Sequence, residues 1–211
     1  MAQQPRGRLI TVEGGEGVGK STLSAALARK LEAQGHNVLR TREPGGTPGA
    51  EAVRSVLLGE GCDWSPLSQA LLFTAARNDH LERVIRPALR AGRIVLCDRY
   101  LDSMIAYQAA AGGVGEEVCS QLAALIGAVR PDLTLLLDLD PAIGLQRSQS
   151  GIRGEGAYEA RGLPYHQAVR ARFLDLAAAE PERFWVIDAG GDQEKVLESA
   201  LHAALTLVQA G

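Results

Sequence analysis

The chain has 211 residues, of which 46% are hydrophobic and 22% charged, with a formal net charge of −3 and a sequence pI of about 5.8. That size suits one domain with a sizeable core, and the slight acidity leaves no basic field for a nucleic-acid backbone. No apolar run approaches the roughly 20 residues of a membrane helix, and residues 1–8 lack the apolar stretch of a secretory signal.

Cys62, Cys97 and Cys119 are widely spaced and form no Cys-x-x-Cys, which argues against a disulfide framework and a zinc site. His36, His80, His166 and His202 show no ligand spacing either. The expectation is a soluble cytoplasmic protein. Lys20, Lys30 and Lys195 are the only lysines, so a lysine within a motif carries more information than one of the many arginines.

In chain order, residues 9–13 (Leu-Ile-Thr-Val-Glu) predict a strand, followed by a glycine-rich turn and a helix over 21–34 that Gly35 ends. A second strand at 37–41 leads into Arg42-Glu43-Pro44-Gly45-Gly46-Thr47-Pro48-Gly49, which cannot be regular structure. A helix to about Leu58 follows. Pro66 then opens a long helix to about Ala91, with Pro87 bending or breaking its last turn. Residues 94–97 read as a buried strand ending at Asp98, with helices over 102–111 and 116–129 beyond. The most apolar strand is 133–138, and a helix spans 141–150. Residues 151–162 are rich in glycine and charge, with no core-facing stripe, and read as a mobile flap. A helix over 163–179, a strand over 184–188 and a final amphipathic helix complete the chain.

Five strands separated by helices predict an α/β three-layer sandwich, a parallel sheet covered on both faces. Ligands in such sheets bind at the carboxyl ends of the strands, where Glu13, Thr41, Asp98, Asp138 and Asp188 fall. The whole of 1–211 reads as one domain, with a lid at 151–164.

The strongest chemical signal is Gly14-Gly15-Glu16-Gly17-Val18-Gly19-Lys20-Ser21-Thr22, which contains Gly-x-x-x-x-Gly-Lys-[Ser/Thr]. Glycines let successive main-chain N–H groups face a phosphate, and the following helix presents its positive end. Lys20 supplies a point charge to the β/γ-phosphates and the Ser21 hydroxyl can ligate Mg²⁺. The segment therefore reads as a site for a nucleoside triphosphate.

Asp98-Arg99-Tyr100 follows a buried strand. Asp98 there either holds Mg²⁺ or its waters, or only caps the next segment. Arg99 either clamps an anionic acceptor with its planar fork or is a solvated charge. Loop 42–47, with Arg54 beyond it, is either one wall of an acceptor pocket, through Glu43 and Pro44, or a plain connection. Phe73 and Arg77 lie at i, i+4 on one helix face, where Phe73 by itself reads more readily as core than as ligand.

Taken in order, the phosphate loop, Thr41–Thr47, Leu72-Phe73-x-Ala-x-Arg77, Asp98-Arg99-Tyr100-x-x-Ser103-x-x-Ala-Tyr107-Gln108, Arg130–Asp138 and Phe184-x-Val-Ile-Asp188 closely resemble the bacterial thymidylate kinases. The resemblance implies the phosphate-loop kinase fold, ATP as phosphoryl donor, dTMP as acceptor, Mg²⁺ as cofactor, a role in dTTP synthesis and a homodimer, while charge and apolar run length lead to the expectation of no nucleic-acid or membrane partner. It further implies that Phe73 stacks on thymine, Arg77 donates to a base carbonyl, and Ser103 with Gln108 lies near the base. Tyr107 would fill the space of a ribose 2′-hydroxyl, Glu16 would approach the acceptor's sugar and phosphate, and Arg54 and Arg99 would hold that phosphate. Met104 replaces a polar residue of some relatives.

The family divides between members with a catalytic arginine in the phosphate loop and members that supply basic residues from the flap. Val18 stands here in the loop, so the chain is expected to depend on its flap. That flap reads Gly156-Ala157-Tyr158-Glu159, where flap-dependent relatives show Asp-Arg-x-Glu. Arg153 is expected to carry the missing charge, with Arg147 touching ATP. The rival readings are a kinase of the same fold acting on another acceptor and a non-catalytic ATP-binding switch.

Overall fold

The computed structural model describes residues 6–59, 64–110, 113–149, 158 and 161–209. Cys62 and Arg153 lie outside the described residues, while Cys97 and Cys119 are buried free thiols. No described helix is long and apolar enough to cross a membrane.

Five strands, β1 (Arg8–Gly14), β2 (Val38–Arg42), β3 (Ile94–Asp98), β4 (Leu133–Asp138) and β5 (Phe184–Asp188), form one sheet in the order β2-β3-β1-β4-β5. All neighbours pair in parallel. Parallel strands need crossovers, and helices supply them on both faces. The helices are α1 (Lys20–Ala33), α2 (Pro48–Leu58), α3 (Pro66–His80), α4 (Arg86–Arg90), α5 (Leu101–Met104), α6 (Glu116–Leu125), α7 (Pro141–Gln149), α8 (Leu163–Ala179) and α9 (Gln193–Gln209). Thr47 and Ser65 cap α2 and α3 through their hydroxyl oxygens, each ahead of a proline.

The alternation of side chains along each strand divides the apolar residues between two cores. Ile10, Val12, Leu96, Leu135 and Leu137 face α1 and α9, where Leu27, Leu31, Ala200 and Ala204 meet them. Leu9, Val95 and Cys97 face the opposite side and pack on Leu81, Ile85 and Tyr100, while Leu136 there meets Val169, Phe173 and Leu176 of α8. Because β1 is covered on both faces, its apolar run is nearly unbroken, with Leu9, Ile10 and Val12 all 0% exposed.

The expected long helix from Pro66 to Ala91 is instead divided: π-helical residues Leu81–Ile85 separate α3 from α4. Pro87 has no N–H to give to the preceding turn, and the Arg86 N–H reaches back to the Leu81 carbonyl, so the turn widens just before the proline. The helix expected over 102–111 likewise becomes α5 followed by π-helical Ile105–Ala110, and α6 stops at Leu125 rather than Val129. The remaining predicted elements agree with the structure to within a residue or two.

The register brings Asp98 of β3 beside Val12 of β1, so the turns leaving these two strands share one corner of the sheet. β1 lies between β3 and β4, and the chain leaves β1 and β3 on opposite faces, which opens a crevice at their carboxyl ends. Leu135→Ala, in the middle of the sheet, should lower the unfolding free energy by about 2–5 kcal/mol, measured by urea denaturation.

Candidate active site

The turn from β1 into α1 is built around three glycines at positive φ: Gly14 (135°), Gly17 (67°) and Gly19 (96°). A Cβ on Gly17 would lie 1.9 Å from the Gly144 carbonyl oxygen, so no side chain fits. Helix α1 begins at Lys20 without a side-chain cap and without an acid in its first turn. Its leading N–H groups therefore have no side-chain acceptor, the arrangement that receives an anion. The Lys20 ammonium is folded onto the loop, donating to the carbonyl of Gly14 (3.1 Å) and to that of Gly15. Burial, then the charge of Arg99, lowers its pKa to about 8 despite Glu16, Asp98 and Glu13 nearby. Val18 sends its side chain into the core beneath the loop, so only its main chain is available to a ligand.

At the neighbouring strand end, the Ser21 hydroxyl donates to Asp98 Oδ2 at 2.6 Å. The two expected metal-binding residues thus meet at the rim, offering hydroxyl and carboxylate oxygens, the hard donors Mg²⁺ prefers. Arg99, next in sequence, has φ 66°. Its guanidinium donates to Glu16 Oε1 (2.7 Å), the Gly14 carbonyl (3.2 Å) and Ser103 Oγ (3.2 Å). It also lies over the Tyr107 ring, 4.9 Å from its centroid. The Tyr107 hydroxyl donates to Glu16 Oε1 at 2.8 Å. Burial pushes the Glu16 pKa upward, but Arg99, Lys20 and the Tyr107 hydroxyl outweigh it and bring it down to about 2.

A cleft of about 380 Å³ runs from Gly17, Gly19 and Thr22 of the loop, past Lys20, Glu16 and Arg99, to Phe73 and Arg77 of α3. Pro44, Arg54, Ser103, Tyr107 and Gln108 also line it. Arg54 donates to the Pro44 carbonyl at 3.0 Å. Arg147 lines the cleft and donates to the Ala189 carbonyl at 3.2 Å. Of the expected lid, Tyr158 and residues 161–164 are described, the last two already in α8, and the rest lies outside the described residues. The Tyr158 hydroxyl accepts from Gln108 (3.1 Å) and donates to Gln69 (3.2 Å), closing one side of the pocket.

Glu43 has a supporting place. Its two oxygens are engaged by Arg77 Nε (2.6 Å) and His80 Nδ1 (3.1 Å), and it is almost fully buried. Arg77 also donates to the Tyr100 carbonyl (3.1 Å), with its remaining terminal nitrogen against the Met104 sulfur (3.3 Å). Glu43, His80 and Cys97 bring ligand-type atoms within 4.8 Å of one another. However, Glu43 is committed to Arg77 and His80, and the Cys97 thiol, its pKa pushed well up by burial, donates to the Arg99 carbonyl. This cluster is a packing network.

The sequence places Glu13 at a strand end but gives it no role, and no motif singles out Asp102 or Arg183. Glu13 lies fully buried under the Arg99 turn, and burial, with the charge of Asp102, raises its pKa to about 7. Asp102 is held by both terminal nitrogens of Arg183 at 2.7 and 2.9 Å. For Glu13 the sequence did hold a signal: a carboxylate ending an otherwise apolar buried strand. For Asp102 and Arg183 it held none, since they are 81 positions apart.

A parallel sheet whose central strand feeds a lysine-bearing phosphate loop, and whose next strand ends on an aspartate bonded to the loop serine, defines a phosphate-loop nucleotide phosphotransferase. Within that class the chain belongs to the thymidylate kinase family, whose family model matches residues 12–200. It is 49% identical over 197 residues to a thymidylate kinase of Caulobacter vibrioides, covering 90% of this chain and 92% of that one. It is 47% identical over 201 residues to one of Ruegeria pomeroyi, covering 95% of each. The crystal structure of thymidylate kinase from Ehrlichia chaffeensis superposes with a TM-score of 0.79 at 33% identity, covering 95% of this chain and 100% of that one.

Because Glu16 has a folded-state pKa near 2 against 4.5 unperturbed, it stabilises the fold fully above the unfolded value, and this contribution is lost as pH falls toward 2. Glu16→Gln should therefore be less stable than the parent by up to about 3 kcal/mol at pH 7. The gap should shrink steadily below pH 4.5 in urea melts.

Proposed function

We propose that the protein transfers the γ-phosphoryl group of ATP to dTMP, giving ADP and dTDP, with residues 1–211 acting as one catalytic unit. The observation that carries this reading is the cleft itself. An uncapped helix start around Lys20 and the paired guanidinium of Arg99 share one crevice, with Phe73 and Arg77 at its far end. ATP phosphates fit the loop of Gly14, Gly15, Glu16, Gly17, Val18, Gly19, Lys20, Ser21 and Thr22, and Arg147 lies on the donor side. The acceptor phosphate is assigned to Arg99 and Arg54, and thymine to Phe73 and Arg77, beside Ser103 and Gln108. Tyr107 crowds the sugar, favouring the deoxy form.

Ser21 and Asp98 would hold Mg²⁺, and their oxygen donor set fits it. When bound, the ion supplies charge neutralisation on the ATP phosphates. The acceptor phosphate is already nucleophilic at neutral pH, so no strong general base is required. Positioning and charge compensation by Lys20 and Arg99 carry the in-line transfer. Segment 151–164 is assigned as the lid, with Arg153 contributing charge to the moving phosphoryl group. A cytoplasmic homodimer without nucleic-acid or membrane partners completes the proposal. It is supported by the acidic balance and by the free thiols of Cys97 and Cys119 and, for the dimer, by family likeness.

Purified protein with ATP and Mg²⁺ should form dTDP from dTMP, and should act far more slowly on UMP and CMP. Comparable turnover of those acceptors would overturn the assignment of dTMP, and ATP binding without acceptor-stimulated ADP release would overturn the activity. Lys20→Ala should lower kcat by about 10²–10³-fold in a coupled ADP-release assay. Arg153→Ala should lower kcat by at least about 10³-fold if its guanidinium serves the transferring group, and unchanged single-turnover rates would remove it from the mechanism.

A further inference from the structure

Glu13 is the last residue but one of β1, and it is 0% exposed. Its Oε1 accepts from the main-chain N–H of Tyr100 (2.7 Å) and of Ser103 (3.3 Å), and its Oε2 accepts from the Ser103 hydroxyl (2.6 Å). One residue earlier in the strand, the Val12 carbonyl accepts from the Arg99 N–H at 3.0 Å. Two consecutive residues of the central strand thus hold residues 99, 100 and 103 of the turn leaving β3.

Among the described residues Arg99 is the one non-glycine at positive φ, at 66°. A side chain there is sterically disfavoured and persists only where the surroundings over-determine it. The Tyr100 N–H adjoins Arg99 directly, so the Glu13 bond fixes the plane of the peptide that carries the strained residue. In this conformation the guanidinium turns back across the cleft to Glu16, Gly14 and Ser103. Both Glu13 oxygens are committed to these donors and neither is exposed, so Glu13 does not itself meet a substrate.

We propose that Glu13 is a positioning residue for the acceptor, its carboxylate holding the Tyr100 and Ser103 donors so that Arg99 keeps the left-handed turn that aims its guanidinium into the cleft. This rests on the reading that Arg99 grips the acceptor phosphate. Three donors converge on its two oxygens and favour the ionised form, against the burial and the Asp102 charge that raise its pKa. A glutamine of the same size keeps one oxygen for the two main-chain N–H groups but turns its N–H₂ group on the Ser103 hydroxyl, which loses its acceptor and has to rotate away.

The test is steady-state kinetics on Glu13→Gln, Arg99→Ala and the double variant, varying dTMP and ATP separately. Glu13→Gln should lower kcat/KM for dTMP by about 10²-fold, as expected for displacement of a reacting-group clamp, while the KM for ATP stays within about threefold of the parent. In the Arg99→Ala background the same substitution should have no further effect on the dTMP terms. A loss confined to kcat with both KM values unchanged, or one that multiplies with that of Arg99→Ala, would overturn the proposal. Should Glu13→Gln fail to fold, Glu13→Asp, which keeps the charge but withdraws the oxygens by one methylene, takes its place, and its acceptor-side loss must likewise vanish with Arg99→Ala. Failure of the parent enzyme to phosphorylate dTMP would sink the functional reading. Normal parent turnover with unchanged acceptor kinetics in Glu13→Gln would overturn the role of Glu13 alone.

Discussion

A site that gathers phosphates needs positive charge in a partly dehydrated crevice, and such charge is costly to bury before its ligand arrives. Here three of the cleft's cations are compensated in advance. Arg99 is paired with Glu16 at 2.7 Å and Arg77 with Glu43 at 2.6 Å, while Lys20 is held by the carbonyls of its own loop. An arriving phosphate therefore exchanges one set of acceptors for another and does not have to stabilise a bare cation. The compensation also sets direction. Arg77 is fixed from three sides and presents a defined edge, whereas Arg99 bonds a half-buried glutamate at the cleft wall.

The fold makes this pairing possible by bringing two turns to one corner. In the order β2-β3-β1-β4-β5, the first and third strands are neighbours, so the phosphate loop and the Arg99 turn leave adjacent points of the sheet edge. Beneath them lies a buried polar layer, running from Glu13 through Ser103, and from Asp102 through Thr134 and Arg183. It ties the turn after β3 to β1, β4 and the segment leading into β5. Such a layer is stable only when its groups are mutually satisfied, and in that state it allows one arrangement of the turn. The apolar cores on either side hold the sheet rigid, so charges placed on its rim stay where the chemistry needs them.

What could be read from the sequence divides along physical lines. Strands buried on both faces announce themselves as apolar runs, and the phosphate loop as glycines around a lysine, because both depend on neighbouring residues. Gly35 ends α1 as expected, with φ 87°, since only local backbone freedom is involved. The break at Leu81–Ile85 was visible only as the proline at 87, and the widened turn falls ahead of it because the missing N–H acts on the preceding residues. Glu43 belongs to a legible motif, yet its task of holding Arg77 and His80 depends on partners 34 and 37 positions away. Pairings such as Asp102 with Arg183 leave no periodic or local mark, and only folding reveals them. Family likeness named the residues around the base, whereas the support beneath them came from geometry.

The account stands or falls on Arg99 being the grip for the acceptor's phosphate. Isothermal titration of dTMP and of thymidine into the parent and into Arg99→Ala tests this without any turnover. The parent should bind dTMP at least about 10²-fold more tightly than thymidine, as a charge-assisted guanidinium–phosphate contact requires, and the variant should lose at least about tenfold of that preference, the remainder resting on Arg54. A variant that keeps the parent's preference for the phosphorylated ligand would place that phosphate elsewhere and contradict the account.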